Sequence, residues 1–104
     1  MRRISTHVLD VALGRPAVGI VVALTVPDGT CHRAVTDADG RVGTFSPEEP
    51  GIYRIHFDTA GYFAATGQRG FYPEVVLAFT VDAREHYHVP LLLSPYAYST
   101  YRGS

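Results

Sequence analysis

Turn-forming residues cut this sequence at intervals of about ten residues, and between the cuts the text is β-branched or alternating. "ISTHVLDVA" (4–12) closes on "LGRP", "VGIVVALTV" (18–26) closes on "PDG", and "TCHRAVTD" (30–37) runs into "DADG". "RVGTF" (41–45) stops at Ser46-Pro47. "GIYRIHFD" (51–58) puts Ile52, Arg54, His56 and Asp58 on one face and Tyr53, Ile55 and Phe57 on the other, which is the period of a half-buried strand. "EVVLAFTVD" (74–82), "HYHVPLLLS" (86–94) and "YAYSTYRG" (96–103) continue in the same style. One stretch differs. "AGYFAATG" (60–67) is alanine-rich and ends in Gly67, which suits one or two helical turns with a glycine cap. About eight short strands with turn chemistry between them predict an all-β fold, an antiparallel β-sandwich with one short helix.

A chain of 104 residues is expected to form a single domain, residues 1–104, whose core is modest enough that oligomerisation would help it. The formal charge is −1, and no Lys/Arg cluster exceeds the pair Arg2–Arg3, so nothing points to nucleic acid or a membrane surface. No apolar run approaches the roughly 20 residues of a membrane helix. Cys31 is the single cysteine, which forbids an internal disulfide and fits a reducing compartment. "MRRISTHVLD" has a positive start but no apolar core of a signal peptide, so the cytoplasm is expected. Pro90 lacks a ladder N–H and belongs at an edge, at a bulge, or where its missing donor faces nothing. The last strand is rich in tyrosine and poor in charge, and such an edge invites pairing with another chain.

Five histidines are present, and His7 and His88 stand out because each sits in an otherwise apolar strand, "THVL" and "YHVPLLL". Strand parity puts His88 with Pro90 and Leu92, and His7 with Leu9. "HYH" places His86 and His88 two residues apart on one face, a spacing used for zinc, with His7 as a third ligand. No carboxylate or cysteine partner is evident. Arg41 follows "TDADG" and reads as an exposed residue past a turn; "DADG" lacks the distant Glu of a calcium loop. There is no G-x-S-x-G and no phosphate loop, and Cys31 reads as a strand residue. The residues alone describe a small, oligomeric β-sandwich with a histidine site, its chemistry open.

"STHVLD…GRPA", "TDADGR", "GIYRIHFDT", "GYF", "FYPEV" and "HYHVPLLLSPYAYSTYRGS" together resemble the transthyretin family, and within it the 5-hydroxyisourate hydrolases. The resemblance runs through the whole chain in order, and the terminal "YRGS" marks the hydrolase branch. It implies two four-stranded sheets with a helix near 60–66, in a homotetramer. In that dimer of dimers, two subunits pair their last strands and the active sites lie at the dimer–dimer interface. It implies a small-molecule substrate and no cofactor or metal. It assigns catalysis to His7, Arg41 and His88 (rather than His86), and substrate binding to His7, Arg41, Tyr101, Arg102, Gly103 and Ser104. The two histidines would activate water and the arginine would polarise a carbonyl. The alternative within the family is a channel that binds a planar aromatic ligand without turnover. Transthyretin proper differs in having lysine, glutamate and threonine where His7, Arg41 and His88 stand, threonine again at Tyr101, and no "RGS" ending.

Overall fold

Alternation decides which side of each strand is buried, and two sheets close over the apolar sides. The computed structural model describes residues 2–47 and 49–103. In chain order its strands are β1 (Arg3–Asp10), β2 (Arg15–Pro16), β3 (Val21–Thr25), β4 (Cys31–Val35), β5 (Arg41–Phe45) and β6 (Gly51–Phe57). The helix α1 (Thr59–Ala65) follows, and then β7 (Val75–Val81), β8 (His86–Ser94) and β9 (Ala97–Thr100). One sheet runs β2-β1-β8-β9 with β5 also paired to β1; the other runs β4-β3-β6-β7. Between them lie Ile4, Val8, Ile20, Leu24, Ile55 and Leu91, each fully or almost fully buried. Tyr53, Ile55 and Phe57 point inward, as their alternation predicts. Among the described residues no helix is long and apolar enough to cross a membrane.

The pairing is antiparallel except between β1 and β8, which run parallel from Arg3↔His86 to Asp10↔Leu93. The expectation of an antiparallel sandwich holds for the other pairs; this one joins strands too far apart in sequence to leave a local signature. The first sheet has five strands rather than four, because the two residues of β2 pair with Leu9 and Asp10 beyond the end of β5.

The helix starts where Asp58 Oδ1 accepts from the Gly61 N–H at 3.0 Å. It ends in a Schellman turn: Gln68 N donates to Phe63 O, Gly67 N to Ala64 O, and Gly67 takes φ +70°. Asp10 then ties helix to sheet. Its carboxylate accepts from Tyr62 Oη (2.6 Å), Leu13 N (2.8 Å) and Gln68 Nε2 (3.0 Å) while being almost wholly buried. Burial alone would raise its pKa, but these hydrogen bonds together hold it below the usual aspartate value.

Candidate active site

The outward positions of three strands make a polar patch on the five-stranded sheet. Burial alternates along β1, so Ile4, Thr6, Val8 and Asp10 enter the core while Ser5, His7 and Leu9 face out. His7 lies opposite Arg41 of β5 on one side and Pro90 of β8 on the other. Ser5, two residues earlier and on the same face, lies opposite His88. The register thus places Arg41, His7 and His88 on one face of three adjoining strands.

Arg41 is aimed by the turn before it. Asp37 Oδ1 accepts from Asp39 N at 2.9 Å and Arg41 N at 3.0 Å, and Gly40 N donates to Asp37 O at 2.9 Å. Gly40 takes φ +74° and passes so close to β1 that an added Cβ would lie 2.5 Å from Val8 O. Only glycine fits there, and the Val8 N–H bonded to Gly40 O at 2.8 Å fastens the turn to β1 beside His7. The Asp37 carboxyl is held below its ordinary value, first by the Arg41 and Asp39 N–H groups and then by the charges of Arg41 and His7.

His88 is half-buried, with Nδ1 2.8 Å from Ser5 Oγ. Burial pushes its pKa below the usual histidine value, and Arg41, His86 and His7 push the same way. An imidazole in such surroundings is neutral near pH 7 and can accept a proton, while an arginine alongside keeps its charge.

The chain end is shaped by Pro90. Gly103 N donates to His88 O at 2.8 Å, so His88 and Gly103 form a hydrogen-bonded antiparallel pair. Leu91↔Thr100 keeps the same register, which makes Pro90 and Tyr101 the next such pair. Pro90 has no N–H to give, and its carbonyl is taken by the Thr100 hydroxyl at 2.7 Å. The ladder therefore breaks at Tyr101 and Arg102 and resumes at Gly103. The texture of 96–103 predicts one continuous strand, but β9 stops at Thr100 for this reason. Pro90 sits in an interior strand, at a break it creates, with its missing donor on the β9 side.

Gly103 rests on the His88 ring: an added Cβ would lie 2.6 Å from Cδ2 and 3.1 Å from Cβ and Cγ. Tyr101 is 60% exposed and Arg102 is exposed. Both line a cleft of about 410 Å³, shared with His88 and with Val76, Ala78 and Thr80 of β7. Arg41 and His7 lie outside that cleft on the open face of the sheet; His88 belongs to both settings. Ser104 lies outside the described residues. Among the described residues no group of three or more His, Cys, Asp or Glu side chains is arranged to hold a metal ion.

One polar residue at this site, Ser5, carries no signal in the sequence, and His86 reads there only as the neighbour of His88 in a zinc-like spacing. Ser5 Oγ lies 2.8 Å from His88 Nδ1 and 3.2 Å from Nε2 of His86. Strand parity from His7 would have placed Ser5 on the correct face, but the parallel register that sets it against His88 has no sequence signal.

The HIUase/Transthyretin family matches residues 4–103. A 5-hydroxyisourate hydrolase of Mus musculus is 42% identical over 111 residues, covering 97% of this chain and 94% of its own length. The structure of Klebsiella pneumoniae 5-hydroxyisourate hydrolase superposes with TM-score 0.92 at 38% identity, covering 100% of both chains. Sea bream transthyretin in complex with thyroxine superposes with TM-score 0.83 at 29% identity, covering 96% of this chain and 93% of that one.

Proposed function

The chain belongs to the HIUase/Transthyretin family, and from that membership and the polar face of its five-stranded sheet we infer that it is a 5-hydroxyisourate hydrolase. It acts in urate catabolism on a small-molecule substrate, opening the six-membered ring of 5-hydroxyisourate at an amide to give 2-oxo-4-hydroxy-4-carboxy-5-ureidoimidazoline.

The assignment of roles rests on one observation: β1, β5 and β8 put two imidazoles and a guanidinium on one face, with the chain end folded onto one of the imidazoles. Amide hydrolysis needs a proton removed from water and a partner for the charge that grows on the carbonyl oxygen. His88 and His7 share the water activation and the return of the proton to the leaving nitrogen. Arg41 binds the substrate and stabilises the oxyanion with its planar fork of donors. Tyr101, Arg102, Gly103 and Ser104 position the ring and limit access of bulk water. No cofactor has a part in this scheme.

The working assembly is a homotetramer, a dimer of dimers with the site between dimers, and residues 1–104 form one domain of it. Two features support that reading. The face bearing His7 and Arg41 is open in one subunit and would be closed by another, and all four residues of the edge strand β9 are exposed. The cytoplasm is the expected compartment.

The test is direct. Freshly generated 5-hydroxyisourate is mixed with purified protein and its ultraviolet absorbance is followed against spontaneous decay. Accelerated decay supports the hydrolase. Decay at the blank rate, together with tight binding of a planar aromatic ligand, would favour a carrier on the same scaffold.

A further inference from the structure

One hydroxyl stands between two imidazoles. Ser5 Oγ is within hydrogen-bond reach of Nδ1 of the half-buried His88 and Nε2 of the exposed His86, and it has a single proton to give. If that proton points at His88, Nδ1 is the acceptor, the ring proton sits on Nε2, and His88 cannot act as a base through Nε2. If it points at His86, Ser5 accepts from His88 Nδ1–H, and Nε2 carries the free lone pair. No other partner of Nε2 is found among the described residues.

We propose that Ser5 and His86 are positioning residues that hold His88 in its Nδ1–H tautomer, with Ser5 donating to His86 and accepting from His88, so that Nε2 is the basic atom. The charged and titratable groups facing His88 disfavour its protonated form: Arg41 from β5, His7 from β1 and His86 from its own strand, with Arg102 in the same cleft. The catalytic half of the proposal rests on the hydrolase reading above; the tautomer does not.

The experiment pairs kinetics with ring nitrogen spectra of uniformly 15N-labelled protein. In the wild type above neutral pH, His88 is expected as Nδ1–H. Ser5→Ala and His86→Ala should shift it toward Nε2–H and lower kcat roughly tenfold or more, with KM changed by less than about twofold. Ser5→Thr keeps the hydroxyl and should restore both tautomer and rate. A wild-type His88 found as Nε2–H overturns the proposal, as does a Ser5→Ala variant with undiminished kcat. A wild type that never turns over 5-hydroxyisourate refutes the hydrolase reading instead, while the spectra still decide the tautomer.

Discussion

Gly103→Ala is the sharpest single perturbation of this site, because one methyl group meets the His88 ring. The added Cβ would lie 2.6 Å from Cδ2, and ordinary contact begins near 3.4 Å, so ring or chain end must give by about 0.8 Å. Two reliefs are open. The ring can swing, giving up the 2.8 Å contact of Nδ1 with Ser5 Oγ. Alternatively the chain end can lift, losing the 2.8 Å bond from Gly103 N to His88 O and carrying Tyr101 and Arg102 away from the cleft. Either costs about one hydrogen bond, roughly 1 kcal/mol of stability, and a drop of roughly 5 °C in melting temperature for a domain of this size. Catalysis is far less tolerant: a displacement near 1 Å of a reacting group can cost about 100-fold. Gly103→Ala is therefore expected to fold, melt a few degrees lower, and lose about two orders of magnitude in kcat/KM in the 5-hydroxyisourate decay assay. A variant that melts lower yet keeps kcat/KM within twofold of wild type would show that the seat of Gly103 on His88 has no part in turnover.

Since the His88 pKa lies below its ordinary value of 6.5, the base is already neutral at pH 7; kcat should stay level from about pH 8 to 7 and fall only below about pH 6.5 as the ring takes a proton, and a decline beginning above pH 7 would contradict this. Pro90→Ala supplies the N–H that the ladder lacks opposite Tyr101. Slow hydrogen exchange at residue 90 and a loss of activity, as Tyr101 and Arg102 are drawn into the sheet, are expected; rapid exchange there would mean that the proline is not what breaks the strand. Tyr62→Phe removes the 2.6 Å donor to buried Asp10, which should cost about 1–3 kcal/mol in denaturant unfolding. The folded-state pKa of Asp10 is depressed, so its contribution is present above pH 3.8 and lost as pH falls; the variant should therefore show a weaker acid-side loss of stability than wild type.

What the sequence makes legible is what short-range rules control. Period-two alternation finds the inward faces of β1 and β6, turn residues mark the strand ends, and Gly67 marks the helix stop because a left-handed residue is needed there. His7, Arg41 and His88 are candidates through the motifs that carry the family resemblance, and the register brings them to one face. Long-range pairing is not legible. The parallel match of β1 with β8 joins strands at opposite ends of the chain, and it alone determines that Ser5 meets His88. The break after Thr100 is hidden for a related reason: Pro90 interrupts the pairing of Tyr101 on the next strand, and its effect appears only once the register is known. An isolated serine such as Ser5 carries no signal without that register, and His86 shows in the sequence only as a same-face neighbour of His88, not as a partner of Ser5.

The central claim is that the outer face of the five-stranded sheet is catalytic through His88. The measurement is steady-state turnover of freshly made 5-hydroxyisourate by His88→Ala beside wild type, with far-ultraviolet circular dichroism and solution mass taken on the same samples. The account predicts a fold and an assembly indistinguishable from wild type and a kcat reduced by about 100-fold or more. A folded His88→Ala protein of unchanged mass that hydrolyses the substrate at the wild-type rate would contradict it.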